Sequence, residues 1–151
     1  DLDEILLPMG IAEENGRLPL KRGPKALQEK GIPYYHLTKK GVLVGLSING
    51  IENMSSEFKK FFAESEPKEK EFENILSKFM TNSPTFTYSI FQKYVKAFCE
   101  DKIKELLPFN LSKLQDISDE DLIIQKEIVL AFGKLSSKEK KEAIVFLEKI
   151  T

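Results

Sequence analysis

Apolar side chains recur three or four positions apart through most of residues 51–151, and this spacing constrains the fold more than any other feature. Apolar residues at these intervals line one face of an α-helix. The clearest run is Phe72, Ile75, Leu76, Phe79 and Met80, which predicts a helix over these positions. Four to five segments of this kind follow one another with loops between them, and together they predict an α-helical bundle.

Proline, glycine and capping residues indicate where the predicted helices begin and end. The start signals are Asn53–Ser56, Pro67, Ser83-Pro84, Ser118–Asp121 and a Ser136/Glu139 capping box, and the stop signals are Asn82, Pro108 and Gly133. The third of these helices is therefore predicted to run as far as Leu107. We expect most of the eleven phenylalanines to lie in the core, because they fall on apolar helix faces.

The composition excludes several classes of protein. The net charge is −1, so no overall field draws the chain to nucleic acid or to an anionic membrane. The longest apolar run, Val42–Ile48, is much shorter than the ~18 residues that span a membrane, so no membrane partner is expected. The single cysteine, Cys99, cannot form an internal disulfide, which is typical of a reducing compartment and predicts a cytoplasmic protein.

The near-neutral total conceals a basic segment in the N-terminal third. Residues 15–47 contain seven basic residues and one acidic residue, a local charge of +6. Residues 51–151 contain 16 basic and 18 acidic residues, a local charge of −2. Basic side chains in a polar loop can simply be solvated, or they can form a surface that contacts phosphate groups. The structural context of the segment decides between these alternatives.

The first residues of the chain predict a helix followed by a strand. Residues 2–7 have the spacing of the end of an amphipathic helix, and Pro8-Met9-Gly10 breaks it. Residues 11–14 can begin a strand, and Asn15-Gly16 is a turn signal directly after them. The pattern therefore predicts that the chain reverses at Asn15-Gly16.

The following residues predict a basic loop, a second strand and a helix. Prolines and glycines over residues 17–31 favour an extended loop, with a short helical turn at 25–30 as an alternative. Residues 33–38 alternate like a strand and include aromatic and β-branched members. Thr38 is a candidate cap for a helix that begins at Lys39. The glycines and valines of that segment leave a strand as the competing prediction.

Two short motifs stand on either side of the basic loop. They are Met9-Gly10-Ile11-Ala12-Glu13-Glu14 and Tyr35-His36-Leu37-Thr38-Lys39-Lys40-Gly41. In content and order they resemble winged helix-turn-helix domains of archaeal and bacterial transcription regulators, where such motifs begin and end the wing. The resemblance covers residues 2–50 and implies a β-hairpin wing. Because the sequence opens with Asp1 rather than Met, we expect a piece of a longer protein in which the domain's first helices precede it.

The resemblance implies a mainly α fold of two parts with a DNA-binding function. Residues 1–50 would be the partial winged-helix segment, and residues 51–151 an α-helical domain that forms a homodimer or docks a protein partner. The wing would contact the phosphates of double-stranded DNA. The residues expected to bind nucleic acid are Arg17, Lys21, Arg22, Lys25, Lys39 and Lys40. Winged helices also serve as docking folds, so a non-catalytic protein–protein interaction adapter is the alternative.

The sequence contains no catalytic, cofactor-binding or metal-binding pattern. Phosphate-binding glycine motifs are missing, and with one histidine and one cysteine the chain cannot build a zinc finger. We expect His36 to be a surface residue of the strand and Cys99 to be a buried or half-buried structural thiol. Asp119 and Asp121 are expected to stabilise a helix N-terminus. The prediction is a protein that is not an enzyme and holds no cofactor or metal.

Overall fold

A computed structural model of the chain describes residues 1–48, 54–115, 117 and 119–150. Over these residues the fold is mainly helical, with one small antiparallel sheet of two strands. Single helical turns occur at Leu2–Leu6 (π) and Leu111–Leu114 (3-10). The longer elements are β1 (Ala12–Leu18), α1 (Lys25–Lys30), β2 (Ile32–Leu37), α2 (Lys39–Leu46), α3 (Met54–Ala63), α4 (Glu73–Asn82), α5 (Pro84–Cys99), α6 (Glu120–Lys134) and α7 (Ser137–Ile150).

The chain divides into two compact units, Asp1–Gln115 and Asp116–Thr151. In the first unit α2 packs against both α3 and α5, and α4 packs against α5. The sheet and the first helices of the predicted helical domain therefore belong to one body. These units differ from the predicted division into residues 1–50 and 51–151, whose boundary lies outside the described residues.

The predicted hairpin is present, but its chain reversal is not at Asn15-Gly16. Both residues lie inside β1, where the pairing with β2 shifts by one residue between Glu14 and Gly16. Gly16 has a φ of 142°, a backbone conformation that suits glycine at such a bulge. The ring of Tyr34 lies 3.1 Å from where a Cβ on Gly16 would be. The turn prediction was wrong because this dipeptide forms a β-bulge within the strand and does not reverse the chain.

The strand β2 leads into a capped helix, as the preferred prediction stated. The Thr38 hydroxyl accepts a hydrogen bond from the Gly41 N–H at 3.1 Å and itself donates to the Gly10 carbonyl at 2.6 Å. A Cβ on Gly41 would lie only 1.9 Å from the Ile11 carbonyl oxygen. The glycine that weakened the helix prediction therefore allows α2 to approach the start of β1 closely.

Two helix boundaries differ from the sequence prediction. The helix predicted to start near Pro67 begins at Glu73, and the residues between form turns. The helix predicted to reach Leu107 ends at Cys99. Asp101 has a φ of 57°, and the two residues after it donate backbone hydrogen bonds to the Ala97 carbonyl. Asp101 turns the chain back onto α5. The turn buries Ile103 and Leu106, two of the apolar residues whose spacing had suggested a longer helix.

Two of the capping predictions at the later helices are confirmed. Asp119 caps α6 by accepting from the Leu122 N–H at 3.0 Å, whereas Ser118 lies outside the described residues. The Ser136/Glu139 capping box is formed, with the Ser136 N–H donating to the Glu139 carboxylate at 2.8 Å. Ser83 occupies the cap position of α5, although its side chain makes no capping hydrogen bond.

Aromatic rings form the core of the first unit. Phe109 follows α5 and contacts four other rings, with centroid separations of 5.0–6.0 Å. These rings belong to Phe61, Phe62, Phe91 and Tyr94. The expected role of phenylalanine in the core is thus confirmed for these positions. It was wrong for Phe72, Phe79 and Phe146, whose side chains are exposed.

One buried carboxylate joins three parts of the first unit. Glu69 is 5% exposed and receives a hydrogen bond from Lys39 at the start of α2. Its carboxylate oxygens also accept the Glu66 N–H at 2.9 Å and the Phe109 N–H at 2.8 Å. Burial by itself raises the pKa of Glu69. The hydrogen bonds from Lys39, Glu66 and Phe109 outweigh that effect and hold the pKa below its ordinary value of 4.5.

We predict that Glu69→Gln lowers the free energy of unfolding of the first unit by roughly 1–3 kcal/mol at neutral pH, because Lys39 loses its counter-charge. A carboxyl whose pKa is lower in the folded than in the unfolded protein contributes stability above its unfolded pKa. That contribution disappears as the pH falls through the folded pKa. The wild-type chain should therefore lose more stability on acidification than the variant.

Urea unfolding followed by tyrosine fluorescence measures this difference, because all four tyrosines lie in the first unit. Glu64→Gln is the matched control, since it removes an exposed carboxylate near the end of α3. Equal acid sensitivity of the wild-type chain and Glu69→Gln would contradict the assignment.

Candidate nucleic-acid interface

The connection between the two strands carries a local excess of positive charge. It spans residues 19–31 and contains four basic residues, Lys21, Arg22, Lys25 and Lys30, against the single acid Glu29. It leaves the sheet at the paired ends of β1 and β2 and includes the short helix α1. The alternative of a helical turn at residues 25–30 is the one that the structure contains. We call residues 19–31 the basic connection.

Local hydrogen bonds shape the basic connection without using the side chains of its lysines. The Gln28 side chain donates to the Gly23 carbonyl, which ties α1 to the turn before it. Arg17 at the end of β1 donates to the Lys30 carbonyl at 3.4 Å, across the neck of the connection. These contacts fix the backbone on which the cationic side chains stand.

Three of the six residues predicted to bind nucleic acid lie on the basic connection, and their charges are free to contact a ligand. Lys21, Arg22 and Lys25 are exposed, and none of them forms an ion pair with a residue that the structure describes. Lys30 has the same exposure, and sequence reasoning counted its charge without selecting it as a site residue. The signal that would have found it is its position in the last turn of α1, beside the other cations.

The guanidinium of Arg17 is only partly available for contact with a phosphate. Its guanidinium forms an ion pair with the Glu14 carboxylate at 2.8 Å, and both side chains are more than a third exposed. In a regular strand, residues three positions apart point to opposite faces. The extra residue of the bulge places Glu14 and Arg17 on the same face, which sequence spacing alone did not indicate.

The last two predicted residues, Lys39 and Lys40, are engaged by other groups of the first unit. The Lys39 ammonium pairs with buried Glu69 and lies 5.5 Å from the centre of the Phe61 ring. The Lys40 ammonium donates to the Met9 carbonyl at 2.8 Å and lies 5.4 Å from the centre of the Phe98 ring. The structure therefore does not bring Lys39 and Lys40 together with the basic connection as one free cationic surface.

A polar cleft of about 470 Å³ lies between the sheet and helices α2 and α3. His36 on β2 pairs with Glu13 on β1 at 3.0 Å along its wall, and Lys60 pairs with Glu57 at 2.7 Å within α3. His36 is exposed on the strand, as expected.

Cys99 differs from its predicted setting, since its thiol is exposed at the end of α5. The buried side of α5 is formed by residues three or four positions apart, Thr87, Phe91, Tyr94 and Ala97, and Cys99 lies two positions beyond the last of them. Within the described residues, no three His, Cys, Asp or Glu side chains are grouped so that they could hold a metal ion.

The second unit presents an extensive apolar surface. Neither α6 nor α7 contains a buried residue, which corrects the expectation that their apolar faces would form a core. Large apolar residues on the two helices are 41–70% exposed, namely Ile123, Ile124, Ile128, Val129, Leu130, Ile144, Val145, Phe146, Leu147 and Ile150. Apolar surface on this scale is typical of interaction sites.

Comparisons of the chain with models of protein families, with curated proteins and with solved structures give no match. Among the described residues, no helix has the length and apolar character needed to cross a membrane.

We predict that Lys39→Ala and Lys21→Ala have different effects on stability. Lys39→Ala leaves the buried Glu69 carboxylate without its counter-charge and should lower the free energy of unfolding by about 1–3 kcal/mol. Lys21→Ala removes an exposed side chain and should change stability by no more than ~0.5 kcal/mol. Urea unfolding of both variants, followed by tyrosine fluorescence, measures the difference.

A double-mutant comparison tests whether the loss of stability in Lys39→Ala comes from the lost contact with Glu69. In a Glu69→Gln background the effect of Lys39→Ala should shrink, because the two side chains interact directly. Additive effects of the two substitutions would refute the proposed role of Lys39 as a structural partner.

Proposed function

We propose that this chain binds double-stranded DNA and that the basic connection is its contact with the phosphate backbone. The observation that carries the proposal is the exposure of Lys21, Arg22 and Lys25 without ion-pair partners among the described residues. Lysine and arginine side chains in this state can replace the counterions that surround DNA, and the released counterions favour binding.

The form of the segment supports the same proposal. The connection is carried on a two-stranded antiparallel sheet whose base is held by the Thr38 hydrogen bonds and by the close approach of α2. A rigid base limits the conformational entropy that binding would otherwise cost. This arrangement agrees with the wing that the two sequence motifs imply, and the transcription-regulator-like role remains part of the proposal.

The number of available cations sets the expected strength of binding. Phosphate contacts supply affinity without sequence specificity, and each contact contributes about −0.9 to the slope of log affinity against log salt. If Lys21, Arg22 and Lys25 each contact one phosphate, raising the salt from ~50 to ~200 mM should weaken binding roughly 40-fold. We therefore propose that the described residues supply weak, non-specific binding to the duplex backbone.

A non-catalytic protein–protein interaction adapter is the second candidate function. The apolar surface of α6 and α7 favours it, because large exposed apolar patches are rare on monomeric proteins and mark interaction sites. The two candidates differ in their response to salt. Phosphate contacts weaken steeply as salt is added, whereas apolar association does not.

We predict that the intact chain binds a fluorescent duplex of random sequence with strongly salt-dependent affinity. The Lys21→Ala, Arg22→Ala, Lys25→Ala triple variant should lose most of the binding, and its salt slope should fall by about 2.7, because three phosphate contacts are removed. Fluorescence anisotropy at ~50 and ~200 mM salt measures both quantities.

The control is a second triple variant with the same change in net charge, Lys59→Ala, Lys68→Ala, Lys78→Ala. These three lysines are exposed in the same compact unit and lie outside the basic connection. The control should bind like the wild-type chain. Equal losses in the two triple variants would show that only overall charge matters and would contradict a site at the basic connection.

A further inference from the structure

We propose that the sheet face that carries Tyr34 stacks on an unpaired base, so that the chain binds single-stranded DNA in addition to the duplex. The proposal rests on the proposed function for its phosphate contacts, which the basic connection would supply. It adds a second form of DNA as ligand and a base-contacting residue, Tyr34, that duplex binding does not require. Every residue that it uses lies in the first unit.

Three large apolar side chains are exposed on one face of the sheet. Leu18 on β1 and Ile32 on β2 are partners in the register, so their side chains lie on the same face. Tyr34 follows Ile32 by two positions and therefore also points to that face. These side chains are 40–58% exposed, which leaves them available for contact with a ligand. We call Leu18, Ile32 and Tyr34 the stacking face.

The Tyr34 ring is held in place by the glycine opposite it. Tyr34 pairs with Gly16, and its ring atoms Cε1 and Cζ and its hydroxyl oxygen lie 3.1–3.3 Å from where a Cβ on Gly16 would be. An aromatic ring that reaches over a glycine in this way stabilises the sheet. The contact also presets the position of the ring while part of its surface stays exposed. Stacking a base on this ring therefore costs little side-chain entropy.

The neighbouring cations favour nucleic acid as the occupant of the stacking face. The basic connection begins directly after Leu18 and ends directly before Ile32. Its exposed lysines and arginine therefore belong to the same end of the sheet as the stacking face. Proteins bind single strands with this combination, in which aromatic rings stack on bases and cations contact the phosphates. An apolar partner would leave the same cations without counter-charges.

Base stacking distinguishes a single strand from a duplex. Inside a duplex the faces of each base are covered by its neighbours, so a protein side chain reaches only the edges of the bases in the grooves. An unpaired base has an exposed face that can lie on the Tyr34 ring. The stacking face therefore has a function only toward a strand whose bases are unpaired.

The charges at the two ends of this face set the direction of a bound strand. His36 follows Tyr34 by two positions and pairs with the Glu13 carboxylate at 3.0 Å. That carboxylate repels phosphate groups, whereas the other end of the face adjoins the basic connection. A bound strand is therefore expected to run from Tyr34 toward the basic connection and away from Glu13.

Fluorescence anisotropy with labelled oligonucleotides tests the proposal on the full chain. The probes are a short oligothymidylate, an abasic strand with the same number of phosphates, and a duplex. The wild-type chain should bind oligothymidylate roughly 10-fold more tightly than the abasic strand, because stacking one base on an aromatic ring contributes a factor of this order. Tyr34→Leu should abolish that preference, whereas Tyr34→Phe should retain it. Unchanged duplex affinity of Tyr34→Leu shows that this variant is folded.

Tyr35→Leu is the matched control, because Tyr35 is the next residue of β2 and points to the opposite face. It should keep the preference for oligothymidylate. Equal affinities of the wild-type chain for the two single strands, with the duplex still bound, would overturn the stacking proposal and leave the proposed function intact. Failure to bind any of the three probes would overturn both. Full retention of the preference in Tyr34→Leu would refute the role of Tyr34.

Discussion

The buried carboxylate of Glu69 connects segments of the first unit that lie far apart in sequence. It accepts hydrogen bonds from Lys39 at the start of α2, from the backbone before α4 and from Phe109 after α5. An ionised carboxylate in this position is stable only while those donors surround it. The contact of Phe109 with Glu69 also holds its ring among the aromatic core. Glu69 thus links the start of α2, the residues before α4 and the aromatic core.

This interaction also removes Lys39 from the cations that remain available at the surface. Lys39 and Lys40 belong to the same basic segment as Lys21, Arg22 and Lys25. However, Lys39 pairs with Glu69, and Lys40 donates to the Met9 carbonyl. Arg17 takes an intermediate position because of its ion pair with Glu14. The local charge of +6 therefore overstates the cationic surface, and the proposal of phosphate binding is restricted to the basic connection.

Local patterns predicted the features that depend on local interactions. The cap at Thr38, the strand before it, the Ser136/Glu139 box and most helices were predictable from propensity and spacing. The bulge at Asn15-Gly16 was not, because it depends on the pairing of β1 with β2. The end of α5 at Cys99 was not either, because it depends on the left-handed conformation of Asp101, which the apolar spacing does not indicate. Lys39 was misleading for the same reason, since its partner Glu69 lies 30 positions away. No local pattern indicated that α6 and α7 would lack a core.

The central claim is that Lys21, Arg22 and Lys25 of the basic connection are free to contact phosphates, whereas Lys39 and Lys40 are engaged by other groups of the first unit. The most direct test is a titration of the ¹⁵N-labelled chain with a short duplex, followed by backbone amide chemical shifts. The account predicts salt-sensitive shifts concentrated in residues 19–31, with the amides of Lys39 and Lys40 little changed. Shifts concentrated on α2, or on α6 and α7, with the basic connection unaffected would contradict it.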